Sequence, residues 1–252
     1  MQTVFFFSER QIMEYIDSIE NKKVKEWASL NSKKTRQKQK RFLLESARGI
    51  EESLIYGQQP EAVLLLEDKE LPPEIGNRLQ GSRIIRLSEK AFMKLAATEN
   101  TQGIIGVYPF KGEKLGELLD KKLVLFLDGI QDPGNLGTII RSAAAFNLGG
   151  ILLGPGCVDL YNEKVLRSTL GGIFALPIFS VDYEDLGLFR KHGFRILGAG
   201  LGGSPVSGVR LEGKTVVGIG NENAGLSEGF LKHSEGLLTI PICNEMGSLN
   251  AG

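Results

Sequence analysis

The sequence predicts a two-part α/β protein whose second part is built on a mostly parallel sheet. Three observations carry that expectation. From about residue 123 onward, short apolar runs alternate regularly with segments of helical spacing. The runs are continuous rather than alternating, as in strands covered on both faces. A length of 252 residues holds one large domain or two ordinary ones.

Taken in order, Val4 to Phe7 is a short apolar run interrupted at once by Ser8, Glu9 and Arg10, too short for a signal peptide or a membrane span. Phe42 to Ile55, FLLESARGIEESLI, has helical spacing, and Ala62 to Leu66 reads as a buried strand after Pro60. Ile84 to Leu87 gives a second strand, Glu89 to Ala97 a short helix and Gly103 to Tyr108 a third strand. Residues 1–110 therefore form a compact α/β domain with a basic helical lead-in. Residues 111–122 read as a linker carrying one short helix, and 123–252 as a second domain. In that domain strands are expected at 123–128, 150–153, 176–180, 194–199, 215–220 and 237–241. Helices are expected at 135–147, 161–169, 183–191 and 225–233.

Composition excludes several classes. Cys157 and Cys243 have no metal-knuckle spacing and are too few for a disulfide framework, and His192 and His233 offer no ligand cluster, so no metal is expected. The expected protein is soluble and cytoplasmic. Formal neutrality hides an asymmetry, because residues 1–50 carry eleven Lys or Arg against six Asp or Glu, a net of +5. Most of that excess is Lys33, Lys34, Arg36, Lys38, Lys40 and Arg41, a run without an acid. Such a run is either a solvated helix face or a grip on nucleic-acid phosphates.

The chemistry concentrates at strand ends, where open α/β sheets collect their ligands. Leu123 to Phe146, LVLFLDGIQDPGNLGTIIRSAAAF, reads as strand, turn and helix, with Asn135 placed to cap the helix. Arg141 lies in an otherwise apolar helix and needs an anion or a carboxylate to meet. Gly198, Gly200 and Gly203 satisfy G-x-G-x-x-G after a strand, but SPVSGVRLEG follows instead of a helix, which removes the dinucleotide reading. There is no G-x-x-x-x-G-K-[ST]. Two further joints follow, VVGIGNENAGLS at Val216 to Ser227 and LTIPICNEMGSLNAG at Leu238 to Gly252. In the second, Ser248 falls where a final helix should start and could simply cap it.

The ordered segments D-x-x-Q-D-P-x-N-x-G-x-x-x-R at Asp128 to Arg141, GIGNENAGLS at Gly218 to Ser227 and IPICNEMGSLN at Ile240 to Asn250 resemble the three motifs of the SpoU (TrmH-like) RNA ribose 2'-O-methyltransferases of the SPOUT superfamily. Lys33 to Glu45, KKTRQKQKRFLLE, and the α/β module behind it are similar to the ribosomal-protein-like RNA-binding domain that precedes the catalytic domain in this family. The resemblance implies a SPOUT α/β-knot catalytic domain, a trefoil-knotted fold that sequence physics alone argues against. It implies S-adenosyl-L-methionine as cofactor, structured RNA as substrate with 23S ribosomal RNA favoured over tRNA, and a homodimer whose sites use residues from both chains. A catalytically silent RNA-binding protein and a base-methylating relative are the alternatives.

By position, the resemblance implies catalytic roles for Asn135, Arg141, Glu222, Ser248 and Asn250. It implies cofactor contacts at Gly198, Gly200, Gly220, Ile240 and Leu249, and RNA contacts along Lys33 to Arg41. Asn221 stands where the family commonly has serine, and Asn244 and Gly247 where glycine and glutamate are frequent. The family's closing helix after the third motif is not contained in the sequence up to Gly252. A free guanidinium stays protonated far above neutral pH and makes a poor proton acceptor. The role expected of Arg141 is therefore to clamp phosphate and steady a developing alkoxide, with Asn135 orienting it.

Overall fold

The computed structural model describes residues 14–112, 114–242 and 250–252. The apolar run at 4–7, together with Cys243, Asn244, Gly247, Ser248 and Leu249, lies outside them. The chain divides into two compact units, Met1–Lys111 and Gly112–Gly252.

In the first unit the strands are β1 (Glu14–Ile16), β2 (Arg41–Leu44), β3 (Ala62–Leu66), β4 (Arg83–Leu87) and β5 (Ile104–Pro109), in the order β1-β4-β3-β5-β2. β1, β4 and β3 run parallel, and β5 and β2 pair antiparallel to close the sheet. The helices are α1 (Lys22–Ser29), α2 (Lys33–Gln39), α3 (Ala47–Ile55), α4 (Pro73–Gly76) and α5 (Glu89–Met93). One face of the sheet packs Leu64, Ile85 and Val107 against Val24, Trp27, Leu30 and Phe92.

The helix expected over Phe42 to Ile55 is half strand. Phe42 and Leu44 are buried on alternate positions and pair with β5, and only after Ser46, whose Oγ accepts from the Gly49 amide, does α3 begin. Phe42 stacks on Tyr108 at 5.6 Å between ring centroids. The Tyr108 hydroxyl lies 2.6 Å from Ser53 Oγ, and burial holds its phenol above the ordinary tyrosine range.

The basic run does form a helix, α2, but its cations divide into two kinds. Lys33, Lys34, Lys38 and Lys40 are exposed. Arg36 is withdrawn from that surface: its guanidinium is buried and donates to the carbonyls of Leu30 (2.8 Å) and Asn31 (2.9 Å), closing the turn between α1 and α2. Arg41 is paired with Glu26 (2.6 Å) and Glu61 (2.8 Å). Both arginines are turned inward because a packed helical turn leaves carbonyls and carboxylates that need donors.

The second unit holds one parallel sheet, β6 (Leu123–Asp128), β7 (Gly150–Leu153), β8 (Ile178–Ser180), β9 (Phe194–Pro205), β10 (Lys214–Gly220) and β11 (Gly236–Thr239), ordered β11-β9-β10-β6-β7-β8. Its helices are α6 (Pro133–Ala145), α7 (Glu163–Thr169), α8 (Leu186–Lys191) and α9 (Glu228–Leu231). Both faces are covered, as the continuous apolar runs require. Phe126, Leu152, Ile196 and Val216 pack with Leu186, Phe189 and Phe230 on one side, and Leu127, Ile151 and Leu153 with Leu136, Ile139, Ile140 and Val165 on the other.

The segment expected as a linker is built into this unit. Leu115–Leu118 is a 3₁₀ turn whose Leu118 is fully buried in the second unit's core. β9 also runs past its expected end at 199. Between Leu237 and Leu238 of β11 the register jumps from Gly198 to Ser204, so residues 199–203 bulge out of the ladder. β10, laid down after β9, occupies the slot between β9 and β6, an inner strand inserted by a returning chain. Among the described residues no helix is long and apolar enough to cross a membrane.

Candidate active site

The carboxyl ends of β6, β10 and β9 lie side by side, with Gly220 of β10 in register with Asp128 of β6. Three loops leave this edge. After β6 the turn ends at Asp132, whose side chain accepts from the Asn135 amide at 2.8 Å, with Pro133 in the first turn of α6. Asp132, not Asn135, is therefore the cap, because a proline at the first helical position shifts the start two residues earlier than expected. That frees the Asn135 side chain, and its Nδ2 donates to Glu222 Oε1 at 2.5 Å across 87 residues of sequence. Asn135 thus orients a carboxylate, where the expectation had it orienting Arg141.

The loop after β10 is shaped by Asn221. Its backbone exchanges two hydrogen bonds with Gly225 (2.9 and 2.8 Å), and its Oδ1 accepts from the amides of Asn223 and Ala224, both at 3.0 Å. Its Nδ2 donates to the Gly129 carbonyl at 2.9 Å, stitching this loop to the one after β6. A β-carbon at Gly220 would lie 2.2 Å from the Gly225 carbonyl carbon, so only glycine allows the loop to fold back here. In the bulge of β9, Thr239 Oγ1 accepts from the Gly203 amide at 2.7 Å and donates to the Gly200 carbonyl.

These loops enclose a cavity of about 610 Å³. Gly200, Gly220, Glu222, Ile240 and Asn250 line it, with Leu201, Leu231, Leu237 and Leu238 as apolar walls. Of the described lining residues Glu222 is the ionisable one. Asn135 reaches the cavity through Glu222, and the tail lies against it, since a β-carbon at Gly252 would come within 2.9 Å of Asn135 Cα. Volume, glycine-bordered backbone and apolar walls with a few polar groups suit a nucleoside-sized ligand.

Two predicted residues lie elsewhere. Gly198 sits behind the wall, where a β-carbon would meet Leu226 at 2.4 Å, so it lets the loop pack down rather than touching a ligand. Arg141 is exposed on α6, its stem against Gly172, and is not among the lining residues.

Sequence reasoning missed the support behind the cavity. Asp128 is buried, and its Oδ1 accepts from the Tyr183 hydroxyl (2.8 Å) while its Oδ2 accepts from the Ser227 amide (2.7 Å). Burial, with a further contribution from Asp128, raises the Tyr183 phenol above its ordinary range. Cys157, near the same strand end, donates to the Leu127 carbonyl, and burial raises its thiol pKa. Asp128 was visible as a strand end, but nothing in the sequence marks Tyr183.

In sequence, a parallel α/β domain with such a cavity at its strand ends follows a small α/β domain that carries exposed lysines. Residues 122–252 match the SpoU rRNA Methylase family, and residues 21–106 match the MRM3-like substrate binding domain. The chain belongs to the SpoU rRNA Methylase family.

The 23S rRNA (guanosine(2553)-2'-O)-methyltransferase RlmP of Bacillus subtilis is 33% identical to it over 240 residues, 94% of each chain. The AdoMet-bound rRNA methyltransferase of Sinorhizobium meliloti aligns over 95% of this chain and 93% of its own, with a TM-score of 0.81 and 26% identity. The SpoU methyltransferase AviRb of Streptomyces viridochromogenes, in complex with AdoMet, aligns over 92% of each chain with a TM-score of 0.81 and 25% identity.

Proposed function

We propose that this protein transfers a methyl group from S-adenosylmethionine to a ribose 2'-hydroxyl of 23S ribosomal RNA. The observation that carries the reading is the cavity where Gly200, Gly220, Glu222 and Asn250 converge, on a chain similar along its length to a 23S rRNA 2'-O-methyltransferase. The cavity fits the cofactor. Backbone at Gly200 and Gly220 permits close approach, and Ile240 and the leucines cover an adenine. When bound, the cofactor supplies an electrophilic methyl group on a sulfonium that leaves as a neutral thioether.

The chain's task is then alignment and removal of one proton. Glu222, held by Asn135, accepts the ribose hydroxyl's hydrogen bond and takes its proton as the C–O bond forms. Ser248 and Asn250, both from the third sequence motif, orient the ribose. Arg141 serves a different site from the one its own chain encloses. It is exposed on α6 and does not line its own chain's cavity, which supports a homodimer in which each Arg141 meets the phosphate or developing alkoxide at the partner's cavity.

The first unit is the substrate-binding domain, roughly residues 1–110. Lys33, Lys34, Lys38 and Lys40 grip phosphates there, while Arg36 and Arg41 hold the platform in shape. Phosphate contacts position RNA without choosing a base. The similarity to a bacterial 23S rRNA methyltransferase supports action in the cytoplasm.

The test is calorimetry with S-adenosylmethionine, followed by mass mapping of methylated ribose in 23S rRNA incubated with the protein. A single 2'-O-methylated nucleotide is expected, and its loss on Arg141→Ala. Absence of cofactor binding, or methylation on a base, overturns the reading.

A further inference from the structure

Behind the cavity wall, four hydrogen bonds form one directed circuit. The Phe230 amide donates to Ser227 Oγ (3.3 Å), Ser227 Oγ to the Tyr183 hydroxyl (3.0 Å), and the Tyr183 hydroxyl to Asp128 Oδ1 (2.8 Å). The Ser227 amide meets the other carboxylate oxygen, Oδ2, at 2.7 Å. Each hydroxyl donates once and accepts once, so no proton position is left open. The circuit joins three segments distant in sequence: Tyr183 is 55 residues from Asp128, Ser227 is 44 from Tyr183, and Ser227 is 99 from Asp128.

Its location gives it a purpose. The loop whose residues Asn221 to Leu226 line the cavity is fixed at its start by Asn221 on the Gly129 carbonyl and at its end by Ser227 on Asp128, so both anchors lie at the carboxyl end of β6. Tyr183 stands over the second anchor. Its ring packs on Phe126 at 6.0 Å, and a β-carbon at Gly229 would lie 2.5 Å from it, so the ring is wedged in place and its hydroxyl is aimed.

We infer that Tyr183, acting through Asp128 and Ser227, sets the position of the Asn221 to Leu226 loop and thereby the affinity of the cavity for its cofactor. It is a positioning residue, since none of the three side chains lines the cavity. The inference rests on the reading of that cavity as the S-adenosylmethionine site. Tyr183→Phe isolates it, because the ring and its packing stay while Asp128 Oδ1 and the Ser227 hydroxyl lose a partner.

The expected result on the full chain is amide exchange at residues 222–226 accelerated about tenfold without cofactor and S-adenosylmethionine binding weakened about tenfold. At saturating cofactor, kcat stays within about twofold, as a support that acts on binding requires. Ser227→Thr, which keeps the hydroxyl, retains wild-type affinity. Ser227→Ala, which also frees the Phe230 amide, weakens affinity at least as much as Tyr183→Phe, and the double variant is no weaker than Ser227→Ala alone, as members of one circuit require. Loop exchange and affinity within twofold of wild type in Tyr183→Phe overturn the inference. So does a kcat that falls in step with affinity while amides quicken across the whole unit. If wild-type protein takes up no S-adenosylmethionine, the cofactor reading fails, and the exchange comparison without cofactor still decides whether Tyr183 anchors the loop.

Discussion

Removing the Asn135 side chain tests whether Glu222 is held for its task. The bond from Asn135 Nδ2 to Glu222 Oε1 links the first motif loop to the second, and both residues are half-buried. A hydrogen bond to a charged group contributes about 1.5–3 kcal/mol net. Partial exposure places this one at the lower end, about 1.5 kcal/mol, which is about tenfold in rate at 1.36 kcal/mol per decade. Asn135→Ala leaves the helix start intact, because the capping bond runs from the Asn135 backbone amide to Asp132. Glu222→Gln keeps the shape and removes the carboxylate, for an expected loss of about a hundredfold or more if Glu222 takes the proton. If Asn135 acts through Glu222, the double variant loses no more than Glu222→Gln alone. The assay is single-turnover transfer of radiolabelled methyl to 23S rRNA, with thermal midpoints as the control for folding. Losses that multiply to about a thousandfold, or an Asn135→Ala rate within twofold of wild type, refute the coupling.

Two further outcomes follow from the geometry. Gly220→Ala forces a β-carbon to 2.2 Å from the Gly225 backbone, so the loop must shift at about 1–3 kcal/mol, and calorimetry should show S-adenosylmethionine affinity down more than tenfold; unchanged affinity would show that the loop yields freely. Replacing Lys33, Lys34 and Lys38 with glutamine should flatten the salt dependence of RNA binding by roughly two to three units of slope, whereas Arg36→Met should lower the thermal midpoint and leave the slope alone.

The parts of the fold legible in sequence were those that local chemistry decides. LVLF before Asp128 marked the end of β6, and the polar turn after it placed the start of α6 to within two residues, although the cap expected at Asn135 is Asp132. Phe42 to Ile55 misled because Phe42, Leu43 and Leu44 satisfy helix and strand alike. Pairing with β5, a contact some sixty residues away, chooses the strand. The basic run was read as uniform since charge is visible and burial is not. Arg36 is drawn inward by carbonyls that exist only once α1 and α2 have turned against each other.

The site divides along the same line. Glu222, Gly220 and Asn250 could be placed because each belongs to a motif with fixed spacing, and the cavity does assemble around them. The residues that give the cavity its shape could not. Asn221 was noted only as a departure from serine, yet its amide puts acceptor and donor on separate atoms: Oδ1 receives two loop amides while Nδ2 reaches Gly129. An acceptor and a donor on one short side chain let a single residue both curl the loop and fasten it to the neighbouring strand. Tyr183 lies outside every motif and contributes through one hydroxyl aimed at a buried carboxylate. Its role is a property of three segments meeting, and a linear pattern carries no trace of that until the chain has folded.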